Sequence, residues 1–469
     1  MHGTLSNRSR TPHRRGPAKR RTAYAWTALA AAGALALSAC TSDPEAAPEG
    51  GPTPGKSTGR TVELPSLAGQ SVSVAAVWTG PEQANFTKVL KEFEKRTGAK
   101  VTFVPAQDPI VTFLGTKIAG GQPPDVAMLP QVGALAQAVE KKWAQPVGPE
   151  ARAQLDKNYS AGWKNLGAVD GTQYGVYFKA ANKSLVWYNA AAFENAGISK
   201  PPATWKEFLQ TAEDLSASGT TPVSVGGADG WTLTDWFENV YLSQAGPERY
   251  DKLARHEIEW TDPTVGEALG TLAQLFGRKD YLAGGQTGAL ATEFPKSVTQ
   301  TFAGGDRPAA AMVFEGDFVA VNIAETDAEI GKDALVFPFP AVGDKAPVVS
   351  GGDVAVALKP SKGAQALLTF LASPDAASIW AAQGGFVSPN KAVSPAVYPD
   401  DVQREIAKAL VAAGDDFRFD MSDQAPAAFG GTPGAGEWKA LQDFLKNPED
   451  VAGVQERLEA AAVKAYGKG

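Results

Sequence analysis

Histidine and cysteine, the side chains that most often carry nucleophilic or metal chemistry, are scarce in this sequence. Its 469 residues include three histidines and one cysteine, and His2 and His13 lie in a basic head. Without that head, His256 is the single imidazole and Cys40 the single thiol. This scarcity argues against Cys/His zinc sites, two-His metal sites and a disulfide framework. A Ser-His-Asp or Cys-His mechanism would have to use His256, whose charged neighbours indicate an exposed histidine instead.

The basic head has the pattern of an export signal. Residues 1–39 contain seven bases and no acid, and an apolar run rich in alanine and leucine spans 23–37. That run is too short for a comfortable membrane span, so 1–39 are predicted to be a signal peptide. It ends in Leu37-Ser38-Ala39-Cys40, which resembles the lipobox of bacterial lipoproteins, whose cysteine becomes the lipid-modified first residue. The alternative is ordinary signal cleavage beside an unrelated cysteine.

A proline- and glycine-rich segment follows Cys40 and has no large aliphatic residue before Val62. We expect residues 40–61 to form a lipidated cysteine and a flexible tether. About twenty residues of such a coil reach on the order of 25 Å. The expected location is therefore the outer face of the cytoplasmic membrane, with the folded body held clear of the lipid surface.

The remaining chain has the composition of a large folded protein with an acidic surface. Hydrophobic residues make up 43% and charged residues 20%, so the chain can bury two or three cores. Removing the seven bases of the head from the total of 44 leaves 37 bases against 51 acids, a balance of −14. Such a body repels phosphates, and nucleic acid is not an expected partner.

Strands alternate with helices along the body. Phe86, Val89 and Phe93 recur at helical spacing, and a Thr204-x-x-Glu207 capping box and an Asp262-Pro263 pair predict two later helix starts. Strands are expected at 71–78, 100–104, 126–129, 184–188, 222–225, 309–314, 335–339 and 354–358. This alternation is typical of an α/β protein with parallel, doubly wound sheets. Residues from 364 to 466 are expected to be largely helical.

Seven local motifs occur in the order found in one known family. They are WTGPE at 78–82, GQPPDV at 121–126, Lys179 with SLVWYN at 184–189, PATWKE at 202–207, WTDP at 260–263, GGDV at 351–354 and GFVSPN at 385–390. With these motifs the body, from Val72 to Tyr466, resembles the extracytoplasmic solute-binding proteins of carbohydrate ABC importers. The sequences of the motifs are most similar to those of the α-glucoside-type members of the group that includes maltose-binding protein.

The resemblance implies a two-lobed α/β periplasmic-binding-protein fold with a ligand cleft between the lobes. By analogy, each lobe is discontinuous in sequence, and the lobes are joined by a hinge. The first lobe is expected at 62–178 plus 312–358, and the second at 179–311 plus 359–469. The resemblance also implies a monomer that captures a sugar and delivers it to the membrane subunits of an ABC transporter.

Nine side chains are the candidates for contact with such a ligand. A sugar joins hydroxyls to an apolar C–H face, so its site needs aromatics that stack and polar groups that replace lost water. The candidates lie mostly beyond expected strands, where open α/β sheets form clefts, although each has a structural alternative such as core packing or helix capping. They are Trp78, Glu82, Gln131, Lys179, Trp231, Asp235, Trp236, Glu315 and Asp353.

Several alternatives remain open at the level of the sequence. The ligand can be a monosaccharide, an α-linked disaccharide or oligosaccharide, a polyol or a non-sugar solute. A secreted lipoprotein enzyme, such as a carboxylate-based glycosidase, or a surface adhesion protein are the competing functions. No catalytic residue, cofactor or metal is expected. A calcium site in the acidic stretch 415–423 is the one metal alternative, and solvated surface is the favoured interpretation of that stretch.

Overall fold

The computed structural model describes residues 61–107, 109–413 and 417–467. The expected signal peptide, Cys40 and all but the last residue of the tether lie outside these ranges. In the part of the chain that is described, every helix is too short or too polar to cross a membrane.

Within the described residues, twelve strands form the sheets. In chain order they are β1 (Ser71–Ala76), β2 (Lys100–Pro105), β3 (Val126–Leu129), β4 (Ala168–Val169), β5 (Thr172–Gln173), β6 (Gly175–Asn182), β7 (Leu185–Asn189), β8 (Val223–Ser224), β9 (Met312–Glu315), β10 (Ala334–Pro338), β11 (Val349–Ala357) and β12 (Arg418–Phe419).

In the same described ranges, twenty α-helices and two 3-10 turns, at Lys279–Tyr281 and Pro395–Val397, accompany these strands. The helices are α1 (Gly80–Thr97), α2 (Ile110–Ala119), α3 (Val132–Glu140), α4 (Pro149–Asn158), α5 (Ala161–Leu166), α6 (Ala190–Asn195), α7 (Trp205–Ala217), α8 (Trp231–Ala245), α9 (Pro247–Ala254), α10 (Pro263–Phe276), α11 (Gly285–Ala291), α12 (Phe294–Phe302), α13 (Val319–Ile323), α14 (Lys362–Leu371), α15 (Pro374–Ala381), α16 (Asp401–Ala412), α17 (Met421–Gln424), α18 (Ala427–Gly430), α19 (Gly436–Lys446) and α20 (Val451–Tyr466).

Two larger sheets divide the body into two lobes. The first sheet has the order β12-β11-β3-β1-β2, with β6 also paired to β11, and the second has the order β10-β7-β9-β8. Parallel pairing joins β1 to β2 and β3, as expected. The long strand β11 is antiparallel to both β6 and β3, and β7 is antiparallel to β9 and β10. The α/β class is confirmed, but the sheets are mixed rather than purely parallel.

Local sequence signals set the helix starts. Thr204 accepts a hydrogen bond from the Glu207 amide, and the Glu207 carboxylate accepts one from the Thr204 amide at 3.0 Å, so the expected capping box is present. The Asp262 carboxylate caps α10 by accepting from the Thr264 amide at 2.9 Å, with Pro263 in the first turn. Both predicted helix starts are confirmed.

Each sheet has its own hydrophobic core. Phe86, Phe178 and Trp380 lie in the core around the first sheet, and Trp236 and Trp260 lie in the core around the second. All five side chains are almost completely buried. Each lobe therefore has a hydrophobic core of its own.

The described part of the chain crosses between the lobes three times, and the expected lobe boundaries need correction. It leaves the first sheet after β6, returns at β11, and leaves again after β12 at Asp420. Strands β9 and β10, expected in the first lobe within 312–358, pair with β7 in the second. Helices α14 and α15, expected in the second lobe after residue 359, pack in the core of the first. Strand character is a local property, whereas the choice of partner strand depends on long-range pairing.

Candidate functional site

A cavity of about 280 Å³ lies between the lobes. The first lobe contributes residues that follow β1 and β3, together with side chains of β6 and β11. The second lobe contributes the first residues of α8 and α12 and parts of α17 and α19. Loops beyond strand ends and helix N-termini thus meet across the opening, which is the usual place for a ligand in open α/β sheets.

Six of the nine candidate residues line this cavity. Their types combine aromatic surface with hydrogen-bonding groups, as a site for a hydroxylated ligand requires. Direct contact of any of them with a ligand stays a prediction. The six are Trp78, Glu82, Gln131, Lys179, Trp231 and Asp353.

The other three candidates lie behind the cavity wall. Trp236 packs in the second core, with its ring centroid 4.5 Å from that of Phe314. Asp235 is fully buried and accepts a hydrogen bond from Lys183 at 3.0 Å. Glu315 is 1% exposed, and burial followed by the charge of Asp235 raises its pKa well above the usual range. None of these three side chains reaches the cavity. The geometry therefore does not support Asp235, Trp236 or Glu315 as ligand-contacting residues.

Lys179 is held rigidly at the first-lobe side of the cavity. Its ammonium lies 2.5 Å from a Glu82 carboxylate oxygen and 5.7 Å from the ring centroid of Trp78. The rings of Phe318 and Trp380 approach it to 5.8 and 5.4 Å. Burial lowers the pKa of Lys179, but the nearby carboxylates, Glu82 first, raise it above its usual value. The lysine therefore stays charged and fixes the orientation of Glu82 toward the cavity.

Lys183, which the sequence analysis did not select, is the centre of a buried charge cluster on the second-lobe side. It occupies the first crossing between the lobes and donates to Asp235 of α8 and to Asp420 of the third crossing. The Asp423 carboxylate lies 3.9 Å away. A single side chain thereby ties two of the crossings to a helix of the second lobe.

The carboxyls of this cluster differ strongly in acidity. Burial raises the pKa of Asp235 to about 7 in spite of Lys183. Burial acts in the same direction on Asp420, but Lys183 and hydrogen bonds outweigh it and lower that pKa to about 2. Burial, and then the charge of Asp420, raises the pKa of Asp423 well above its usual range. Near neutral pH, Asp420 is therefore the firm anionic partner of Lys183.

Two further buried acids support the same region. The Glu238 carboxylate accepts hydrogen bonds from the Tyr250 hydroxyl at 2.5 Å and from the amides of Met421 and Ser422 at 2.6 and 2.9 Å. Glu437 is fully buried nearby, and burial raises its pKa. The interpretation of the stretch 415–423 as solvated surface was wrong for Asp420, which is fully buried. Asp415 and Asp416 lie outside the described residues.

Aromatic rings form the rest of the second-lobe wall. Trp231 packs against Phe294 and Phe318 with ring centroids 5.2 and 5.9 Å apart, and Trp438 lies beside them. Gly230 allows this arrangement, because its φ is +81° and a β-carbon there would lie 2.9 Å from that of Trp438. Phe294, Phe318 and Trp438 were not predicted. Phe294 begins a helix as Trp231 does, which is the one local signal that could have identified it.

Metal and histidine chemistry find no support in this region. Among the described residues, no group of three or more histidine, cysteine or acidic side chains has a geometry suited to a metal ion. His256 does not line the cavity, and the prediction that it is exposed was wrong. It is 8% exposed, and its Nε2 lies 3.0 Å from Glu459.

Comparison with known proteins identifies the family. The model of the bacterial extracellular solute-binding protein family matches residues 78–378. The osmoprotective compounds-binding protein GgtB of Synechocystis sp. is 32% identical over 388 residues, covering 80% of this chain and 89% of the relative. The alpha-glucosides-binding periplasmic protein AglE of Rhizobium meliloti is 33% identical over 414 residues, covering 84% and 88%.

Solved structures agree with the two-lobed fold. The bacterial solute receptor AcbH superimposes with a TM-score of 0.72 at 20% identity, covering 85% of this chain and 99% of AcbH. Maltose-bound MalE3 of T. maritima gives 0.67 at 17% identity, covering 83% and 98%. With the family match over most of the body and two relatives above 30% identity, this chain belongs to the bacterial extracellular solute-binding proteins.

Proposed function

We propose that this protein is the extracytoplasmic receptor of an ABC importer and that it captures a sugar of the α-glucoside class in the cavity between its lobes. The observation that carries the proposal is the cavity wall, on which Trp78 and Trp231 face polar groups such as Glu82, Gln131 and Asp353. The relatives named for α-glucosides and for osmoprotective compounds support this ligand class.

The geometry suggests how such a ligand is held. The aromatic rings offer flat apolar surface to the C–H face of a sugar ring, and carboxylates and amides accept and donate to its hydroxyls. At about 280 Å³, the cavity lies at the lower end of ligand-pocket sizes, which favours one or two sugar units over a long oligosaccharide.

Capture is proposed to couple to a hinge motion. The ligand would touch both lobes, so binding favours the closed arrangement by the difference in its affinity for the closed and open states. The three crossing segments are the natural hinge. The closed form would then be the form that the membrane subunits of the transporter recognise.

The remaining features of the proposal concern the setting of the protein. Lipid attachment at Cys40 would anchor it to the outer face of the cytoplasmic membrane, and the tether up to residue 61 would give it reach. We also propose that it acts as a monomer without catalytic activity. A binding protein releases its sugar unchanged, whereas a glycosidase hydrolyses it. Recovery of the intact sugar therefore distinguishes the two functions.

A thermal-shift screen of the purified full chain tests the proposal. The panel contains glucose, maltose, trehalose, sucrose, maltotriose, glycerol and sorbitol. A ligand supplied at about 1,000 times its Kd adds roughly 4 kcal/mol to the free energy of unfolding, which raises the melting temperature clearly. We expect a rise for a related set of α-glucosides, each recovered unchanged by chromatography. Silence across the panel refutes the sugar assignment, and consumption of a sugar indicates an enzyme.

A further inference from the structure

The cavity wall carries more acids than bases, and its bases already have partners. Its charged lining consists of Lys179 and Lys183 together with Glu82, Asp353 and Asp423. Lys179 is paired with Glu82 at 2.5 Å. Lys183 donates to the two carboxylates buried behind the wall, so neither ammonium is left over for an anionic ligand.

Asp423 is an acid of the cavity wall that receives no hydrogen bond from Lys183. It lies 3.9 Å from Lys183, beyond hydrogen-bonding distance, while Lys183 donates elsewhere. Its side chain is 15% exposed, which leaves it accessible from the cavity. Burial raises the pKa of Asp423, and the charged groups around it add to this with the exception of Lys183. The titratable groups that face it from the surrounding elements are Tyr177 of β6, Lys183 of the first crossing, Asp235 of α8, Asp353 of β11 and Asp420 before α17.

An ammonium group on the ligand would compensate the carboxylate of Asp423. It donates up to three hydrogen bonds and forms charge-assisted bonds to a carboxylate. The adjoining wall is also suited to a cation, since Lys183 already lies 5.5 Å from the Trp231 ring and aromatic faces attract positive charge. A carboxylate or phosphate in the same place would meet like charge on the wall and behind it.

We infer that the cavity selects sugars by charge, binding a sugar whose protonated amine contacts Asp423 more tightly than the neutral sugar of the same skeleton, and excluding sugar acids and sugar phosphates. This inference rests on the proposed function, because it assumes that the cavity holds a sugar. It adds a specificity-determining role for Asp423.

Titration calorimetry of the full chain tests the inference with probes of one skeleton. These are glucose, its 2-amino and 6-amino derivatives, glucuronate and glucose 6-phosphate, at pH 7.0. We expect at least one amino derivative to bind about tenfold more tightly than glucose, and the two anions at least tenfold more weakly.

The variant Asp423→Asn isolates the charge. It keeps the size of the side chain but removes its charge, so the ratio of amino-sugar affinity to glucose affinity is expected to fall to about one, whatever the change in glucose affinity itself. Asp156→Asn, at an aspartate whose side chain is 72% exposed, is the matched control and keeps the preference. Melting curves of both variants confirm folding.

The outcomes separate the inference from the proposed function. Glucose bound as tightly as both amino derivatives, or a preference that survives Asp423→Asn, overturns the inference and leaves the sugar receptor intact. Failure of all five probes also overturns the inference. Only silence of the wider sugar panel in the thermal-shift screen overturns the receptor itself.

Discussion

Removing the charge of Lys183 is expected to weaken the whole protein, because this side chain neutralises carboxylates that have no access to water. Its ammonium lies 3.0 Å from Asp235 and also pairs with Asp420, and both acids are fully buried. Breaking a buried ion pair by deleting one partner costs about 3–5 kcal/mol, since the other charge stays buried. Asp235, with a pKa of about 7, can take up a proton and limit the loss. For Lys183→Met we therefore expect a loss of about 3 kcal/mol at pH 8.

The loss should also depend on pH in a defined direction. Without Lys183, the buried carboxyls bind protons more readily in the folded state. Lowering the pH therefore neutralises the buried carboxylates, which otherwise repel one another in the variant. The destabilisation is then expected to shrink between pH 8 and pH 5.5. A permanent packing defect, by contrast, would be insensitive to pH over this range.

Urea unfolding followed by tryptophan fluorescence at the two pH values measures both effects. The matched control is Lys332→Met, which removes a lysine that is 69% exposed and lies 3.3 Å from Glu329. An exposed pair of this kind contributes about 0–1 kcal/mol, so this variant should unfold close to the wild type. A loss below about 1 kcal/mol for Lys183→Met at pH 8, or an equal loss at both pH values, would refute the reasoning about the buried cluster.

Three further predictions concern an aromatic residue of the cavity wall, a buried aspartate and one glycine. Trp231→Ala should weaken binding of the sugar found in the screen at least about tenfold, measured by calorimetry, because a stacking surface is lost; an unchanged Kd would remove Trp231 from the site. Burial raises the pKa of Asp317 to about 6 from 3.8, so the folded state holds its proton more tightly and stability should fall as pH rises from about 4 to 6. Asp317→Asn should flatten this slope in pH-dependent melts, and an unaltered slope would contradict the assignment. Gly230→Ala should lower stability by at least about 1–2 kcal/mol in urea, because its φ of +81° and the nearby Trp438 both oppose a β-carbon; Gly270→Ala, where a β-carbon meets nothing within 4 Å, is the control.

Local signals in the sequence were sufficient for the elements but not for their assembly. The capping box at Thr204 and the Asp262-Pro263 pair place helix starts correctly because both act within four residues. Strand β9 was expected near its observed position and yet assigned to the wrong lobe, since its pairing partner β7 lies more than a hundred residues earlier. Strand β6 was not predicted, because all eight of its residues are buried and the sequence therefore shows no alternation of polar and apolar residues.

The sequence identified cavity residues only where their position at the end of a strand or the start of a helix placed them at the cavity. Trp78 and Gln131 follow strands whose ends meet at the cavity, and Trp231 begins a helix that points at it. The sequence did not show that Trp236 lies behind the cavity wall. Residues 232–242 of α8 are all buried, so no apolar stripe distinguishes the two faces of this helix. Lys183 and Asp420 were missed because burial of paired charges depends on the approach of segments distant in sequence.

A crystal structure of the protein with the tightest-binding sugar of the screen tests the central claim most directly. We expect one sugar in the cavity between the lobes, with a ring face in van der Waals contact with Trp231 or Trp78 and with hydroxyls hydrogen-bonded to both lobes. A sugar bound elsewhere on the surface, or one that touches a single lobe and leaves the cavity open, would contradict it.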